Sequence, residues 1–284
     1  MVLQLTEYYL RDDLAVEVRA ANLLDWGQQA ALAAPEKDVF RAREGRLTVR
    51  LVRAGKPYFL KYHGGIGWGE IVKNLSQLRW PVLGASNEFH AVNRLHELGV
   101  DTMSVVAYAR SGINPAAQRS LIMTDELVGT ISLEDYCRDW RHSPPRWRDR
   151  MRIVRKLADS AGRMHRAGIN HRDFYLCHFH LDPDSLFQGT LRCYLIDLHR
   201  AQLRRRTPAR WLAKDLAGLY FSAMDCGLQQ RDLLRFLRAY APGGLRRALL
   251  HDAGFWRKVE QLALRLYVRD HGRAPPAGPW EREL

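Results

Sequence analysis

The chain has 284 residues, with 44 Lys plus Arg against 31 Asp plus Glu, a formal net charge of +13. With 46% hydrophobic and 26% charged residues it is not collagenous, coiled-coil or wholly disordered; at roughly 100 to 200 residues per domain it makes one large domain or two small ones. No stretch approaches the roughly 18 consecutive apolar residues of a spanning helix, and Glu7, Arg11, Asp12, Asp13 and Glu17 break any signal-like start, so a cytosolic location is expected.

Cys137, Cys177, Cys193 and Cys226 lie far apart with no C-x-x-C pair, which argues against a disulfide scaffold or zinc knuckle and for reduced core residues. Arg supplies 37 of the 44 cations, and its planar fork suits phosphate and carboxylate. An anionic partner is expected: an acidic substrate, an anionic membrane face or a small acidic protein, unless the charge serves only solubility. Nucleic acid would satisfy the same charge, but no recognition motif for it is present and none is expected as a partner.

In chain order, Arg46 to His63 reads as strand, turn, strand: LTVRLV alternates, AGK turns and YFLKYH continues. Two helices follow. WGEIVKNLSQLR ends at Pro81, and ASNEFHAVNRLHELGV opens on a capping box with Ser86 as N-cap and stops at Gly99. VVAYA and RSLIMTDEL are two further strands. From ISLEDYCRDW onward the spacing turns helical, with Val154, Leu157, Ala158, Ala161 and Met164 marking the buried face of a long helix. FHLDPDSLFQGTLRCYLIDLH reads as a hairpin, PARWLAKDLAGLYFSAM returns to helix, and helices continue to about Arg269. The plan is two-lobed α+β: 1–124 an N-lobe of sheet plus helices, 125–130 a hinge, 131–272 a helical C-lobe and 273–284 a frayed tail. A cleft between such lobes is the expected ligand site.

Ile169-Asn170-His171-Arg172-Asp173 follows the long amphipathic helix and precedes the hairpin. Protein kinases place such an Asp after a helix to accept the proton of the attacking hydroxyl, and follow it with a strand pair ending in a metal-binding Asp. Asp197, closing Tyr194-Leu195-Ile196-Asp197, stands where that second carboxylate is needed; the lesser alternative is a turn-initiating Asp after a strand. Phosphoryl transfer also needs a cation for the nucleotide phosphates and a carboxylate to fix it. Lys61 in its apolar strand and Glu88 near the start of the later helix match in order and context. Taken singly, Lys61 reads as an edge-blunting lysine and Glu88 as a favourable helix N-terminal acid.

Asp215 in AKDLA reads as an anchor for the catalytic-loop backbone, or as half of a surface Lys-Asp pair. Asp125 to Gly129 form the hinge, where backbone groups of Glu126 and Val128 are the adenine-binding candidates. The position five after Asp173, an Mg²⁺-binding Asn in protein kinases, is His178 here. A hard ion prefers oxygen, so His178 is read as touching phosphate, bracing the loop or simply buried. No G-x-G-x-x-G precedes Lys61; Gly45 is the one turn glycine placed to cover phosphates, and the glycines of 64–69 read as a connector. Arg200, Arg204, Arg205, Arg206 and Arg210 make a basic cluster suited to an anionic acceptor or membrane surface, or a solvated loop. The short interval from Asp197 to Asp215 leaves no room for a long regulated activation loop.

Long local stretches from about Leu47 to Leu250 resemble the lipopolysaccharide core heptose(I) kinase family: Ile71–Leu75, Pro81–Ala85, Gly99–Met103, Ile131–Cys137, Ile169–Phe179 and Ile196–Gln202. His178 belongs to that family pattern. The resemblance implies a protein-kinase-like fold with a small antiparallel N-terminal sheet lobe and a larger helical C-terminal lobe. It implies ATP-dependent transfer of the γ-phosphoryl group to a hydroxyl of the first heptose of the inner core, on a lipid-linked oligosaccharide at the cytoplasmic face of the inner membrane. Asp173 is then the base, Asp197 the Mg²⁺ ligand, Lys61 the α/β-phosphate cation and Glu88 its partner. Residues before Leu47 and after Leu250 receive little from the resemblance.

Overall fold

Strand alternation builds the first of two compact units, Met1–Asn93 with Met103–Leu127; Arg94–Thr102 with Val128–Leu284 forms the second. The computed structural model describes residues 5–43, 45–76 and 84–276. Residues 77–83, with the helix stop at Pro81, and the end of the tail from 277 lie outside the described residues.

The first unit is a six-stranded antiparallel sheet of β1 (Leu5–Leu10), β2 (Val39–Arg43), β3 (Arg46–Arg53), β4 (Lys56–His63), β5 (Val105–Ser111) and β6 (Arg119–Asp125). The strand order is β1-β5-β6-β4-β3-β2. Its helices are α1 (Asp12–Ala15), α2 (Leu23–Leu32), α3 (Gly67–Ser76) and α4 (Ser86–Glu97). On β4, Tyr58, Leu60 and Tyr62 turn to one face and join Leu23, Leu24 and Ala31 of α2 with Val49, Leu121 and Met123 in one apolar cluster. Gly27 permits that approach, since a Cβ there would sit 2.5 Å from Leu121 Cδ2. Lys61, of opposite parity, faces the other way.

β1 and α2 occupy the stretch for which the sequence offers no reading. β1 is an edge strand with Tyr8 and Tyr9 exposed, so its pairing with β5 is not written as a buried alternation. The capping-box reading of Ser86 is corrected. Ser86 is the first residue of α4, the Ala85 carbonyl accepts the Phe89 amide at 3.0 Å, and the Ser86 hydroxyl lies 2.8 Å from the Tyr108 hydroxyl.

The second unit is helical. It comprises α5 (Leu133–Cys137), α6 (Trp147–Arg166), α7 (Pro183–Phe187), α8 (Ala209–Ala223), α9 (Gln230–Tyr240), α10 (Gly244–Leu250) and α11 (Ala253–His271). β7 (Ile131–Ser132), β9 (Phe179–Leu181) and β10 (Cys193–Leu195) form a small sheet, and β8 (Ile169–Asn170) pairs with β11 (Gln202–Leu203). The five apolar residues singled out on α6 are all buried. The hairpin exists as β9 and β10, but its connection is α7, capped by Asp182 through the amides of Asp184 and Ser185. Cys137, Cys193 and Cys226 are buried, Cys177 is half-buried, and all four are free thiols. Residues 94–102 join this unit rather than the sheet unit. Asp101 is paired with Lys156 (2.6 Å) and Arg192 (2.8 Å), and the Thr102 hydroxyl donates to the Leu195 carbonyl (2.6 Å).

Candidate active site

In the sheet unit, Lys61 Nζ lies 2.7 Å from Glu88 Oε1, with the Lys61 side chain 23% exposed and Glu88 fully buried. Strand parity on β4 and the first turn of α4 bring them together from 27 residues apart. Glu88 Oε2 is buried with no hydrogen-bond partner among the described residues. The Gly45 turn between β2 and β3 adopts φ +69, and its carbonyl accepts the Gly64 amide at 2.7 Å, one residue beyond β4.

At the predicted hinge, the Glu126 amide donates to the Pro57 carbonyl (3.2 Å), so it is not open to a ligand, and one oxygen of the Glu126 carboxylate takes Arg50 Nε (2.7 Å). Val128 is exposed. Arg11, which the sequence reading did not weigh, clasps Asp125 through both guanidinium nitrogens at 2.6 and 2.9 Å.

In the helical unit, Asp215 sits on α8, 1% exposed, and its two oxygens accept the amides of His171 (2.6 Å) and Arg172 (2.9 Å). His165 Nε2 lies 3.3 Å from the same carboxylate. Asp215 thus fixes the turn in which Arg172 takes φ +77 and from which Asp173 projects. The buried His171 ring completes the clamp, Nε2–H donating to the Ile196 carbonyl (2.9 Å) and Nδ1 accepting the Asp173 amide (3.3 Å). Burial pushes its pKa down against the pull of Asp215, which agrees with this neutral form.

Asp173 Oδ1 accepts Arg200 at 2.6 Å, whereas no hydrogen bond from the described residues reaches Oδ2. Asp197 follows β10 in the left-handed region, φ 59 and ψ 52. Its Oδ1 is 2.6 Å from His199 Nδ1, and its Oδ2 is 3.6 Å from His178 Nε2. His178 Nδ1–H donates to the Asp173 carbonyl at 2.6 Å, so this residue bridges the two turns that carry the acids. Its pKa is pushed up to about 9: burial opposes the charge, but Cys177, the Asp173 carbonyl and the Asp197 carboxylate outweigh it.

The arginine cluster divides. Arg200 is bound to Asp173. Arg204 turns onto the β8–β11 ribbon, bonding Asn170 and Gln202, so it is tied up structurally rather than presented to a substrate. Arg205 and Arg206 are exposed. His171, His199 and His165 were not singled out in the sequence. The signal for them was proximity to the acids, His199 lying two residues from Asp197 and His171 two from Asp173.

Among the described residues no group of three or more His, Cys, Asp or Glu is arranged to hold a metal. Mg²⁺ keeps several waters and takes one or two carboxylates plus substrate phosphates, a demand that the partly exposed Asp197 can meet alone.

Residues 30–240 match the model of the lipopolysaccharide kinase (Kdo/WaaP) family. The chain is 50% identical over 240 residues to the lipopolysaccharide core heptose(I) kinase WaaP of Pseudomonas aeruginosa, covering 84% of this chain and 90% of that protein. It is 47% identical over 238 residues to WaaP of Escherichia coli K12, covering 82% and 90%. A solved structure of WaaP in complex with acyl carrier protein matches with a TM-score of 0.78 at 41% identity, over 92% of this chain and 100% of that one. Agreement of this length and identity, on a kinase-like fold, makes the chain a member of the lipopolysaccharide kinase (Kdo/WaaP) family.

Proposed function

We propose that this protein is an ATP-dependent phosphotransferase acting on a hydroxyl of the first heptose of the lipopolysaccharide inner core. The observation that carries the reading is the Asp173 carboxylate: one oxygen held by Arg200, the other without a partner among the described residues, on a loop fixed by Asp215. A base needs one acceptor oxygen within reach of the hydroxyl and a fixed orientation, and this arrangement provides both. Its relatives of about half identity are heptose(I) kinases.

In this reading Asp173 Oδ2 takes the proton of the acceptor hydroxyl as that oxygen attacks, and Arg200 keeps the carboxylate aimed. Lys61, steered by Glu88, pairs with nucleotide phosphates, and Asp197 is the residue that would hold Mg²⁺, which when bound would supply positive charge to the phosphates. The backbone carbonyl of Glu126 and the amide of Val128 remain the adenine candidates. Arg205 and Arg206, exposed and cationic, suit the anionic cytoplasmic face of the inner membrane on which a lipid-linked acceptor would be met. No helix among the described residues is long and apolar enough to cross a membrane. The net charge of +13, together with the acyl carrier protein held by the solved relative, supports a small acidic protein as a second partner.

The test is incubation with ATP, Mg²⁺ and phosphate-free core lipopolysaccharide, with mass spectrometry for one added phosphate. Wild-type protein is expected to add it, and Asp173→Asn to lose at least 10³-fold in rate, on the order of a lost general base plus positioning, with an unchanged circular dichroism spectrum. Full turnover in that variant removes the assignment of the base. Phosphorylation of another inner-core sugar instead would move the acceptor, and absence of Mg·ATP binding would make the chain a non-catalytic binding module.

A further inference from the structure

Trp211 is the third residue of α8, and four cations gather within 6 Å of its ring centroid. Lys214 Nζ lies at 4.7 Å, the Arg172 and Arg210 guanidinium carbons at 5.4 Å each, and that of Arg204 at 5.9 Å. Among the described residues, no ion pair engages Arg172, Arg210 or Lys214. Cation–π attraction to one indole does not balance four mutually repelling charges. The repulsion registers at the cluster itself. Burial first, then Arg200 and Arg204, push the Arg172 pKa down against the opposing pull of Asp173 and Asp215, and Arg210 adds to burial in lowering that of Arg204.

A second observation points the same way. Arg172 Nε and Trp211 Nε1 are both buried hydrogen-bond donors without an acceptor. Buried donors are ordinarily satisfied, and two orphans inside one cationic cluster call for an acceptor that the chain does not itself supply. The missing species has hydrogen-bond acceptor oxygens and negative charge. Arg172 is also the residue before Asp173, so an anion held there lies beside the loop that carries the proposed base.

We propose that Arg172, Arg210, Lys214 and Trp211 form an anion-binding site that holds a phosphate or carboxylate group already carried by the sugar acceptor, and so selects acidic acceptors and positions them for Asp173. The proposal rests on the kinase reading only for the identity of the bearer, since the cluster calls for an anion whatever reaction is catalysed.

The test has two arms, each on the full-length protein. In the first, the nucleotide site is saturated with a non-hydrolysable ATP analogue and inorganic phosphate is titrated by calorimetry. Wild-type protein is expected to bind it and the double variant Arg210→Gln, Lys214→Gln to bind at least tenfold more weakly, while Lys214→Arg retains binding. In the second, transfer to core lipopolysaccharide is followed: the double variant should raise KM for the acceptor about tenfold, with kcat within twofold and KM for ATP unchanged. Equal phosphate binding in wild type and double variant overturns the site. Weakened phosphate binding with an unchanged acceptor KM overturns the assignment to the acceptor; loss of sedimentation with phosphatidylglycerol vesicles alongside it would give the site to a lipid headgroup. If wild-type protein transfers no phosphate to the acceptor, the kinase reading fails, and the calorimetric arm still decides whether the anion site exists.

Discussion

His178 occupies a position where an oxygen ligand would suit Mg²⁺, and its geometry explains what an imidazole does there instead. It donates to the Asp173 carbonyl and stands 3.6 Å from Asp197, adding to the Arg200–Asp173 and His171–Ile196 bonds that also join the two turns. Because its pKa is raised to about 9 in the fold from an ordinary 6.5, the bound proton stabilises the native state. That contribution is complete below about pH 6.5 and is lost as pH rises through about 9, with a slope of at most about 1.4 kcal/mol per pH unit. Urea denaturation between pH 6 and 9.5 should therefore show wild-type stability falling toward that of His178→Gln, whose own profile is flatter; parallel profiles would mean that the imidazolium is not the stabilising form. At Asp215 the issue is satisfaction of buried amides. Asp215→Ala strips two loop N–H groups of their acceptor and should cost about 3 kcal/mol, while lowering kcat far more than it raises KM for ATP, as measured by denaturation and steady-state kinetics.

The two-residue strands β8 and β11 pair Asn170 with Gln202 and Ile169 with Leu203, just before the turn that carries Asp173 and just after the one that carries Asp197. Their approach depends on Gly168, which takes φ +86, accepts the Arg204 amide at 2.9 Å, and leaves only 1.8 Å between a would-be Cβ and the Arg204 carbonyl oxygen. A side chain there must push a backbone segment aside as well as hold a left-handed conformation. Gly168→Ala is expected to cost at least about 2 kcal/mol and to reduce transfer without changing the unfolding m-value; urea denaturation with parallel kinetics checks it, and a neutral effect would show that the ribbon is not tight. Arg150 of α6 and Asp232 of α9 form a buried pair at 2.6 Å, with Arg150 also donating to the Gly227 carbonyl. Asp232 in addition completes the capping box of α9, so this one carboxylate fixes both the start of a helix and its contact with α6.

For the molecule as a whole, a charge of +13 sets association with anionic partners more than it sets the fold. If a small acidic protein binds through this field, its affinity should fall steeply with salt, since the screening length shrinks from about 10 Å at 0.1 M to about 3 Å at 1 M. Titration of acyl carrier protein at rising NaCl is expected to show at least a tenfold loss over that range; salt-insensitive binding would place the contact on apolar surface instead.

Residue pattern alone revealed β3 and β4 by alternation, β5 and β6 as short apolar runs buried along nearly their whole length, and α6 by its apolar stripe. It also put Lys61, Glu88, Asp173, Asp197 and Asp215 in order, because each stands beside a recognisable element. Residues 5–43 stayed illegible, since an edge strand with exposed tyrosines carries no buried alternation of its own. The division of the arginines was equally hidden. Nothing in the string separates Arg200, bound to Asp173, from Arg204, tied to Asn170, or predicts that Arg172, Arg210 and Lys214 would crowd one indole. Periodicity reports which face of an element is buried, and that much is local. Which charged groups meet, and which donors are left without an acceptor, depends on segments distant in sequence packing together, and only the tertiary structure decides it.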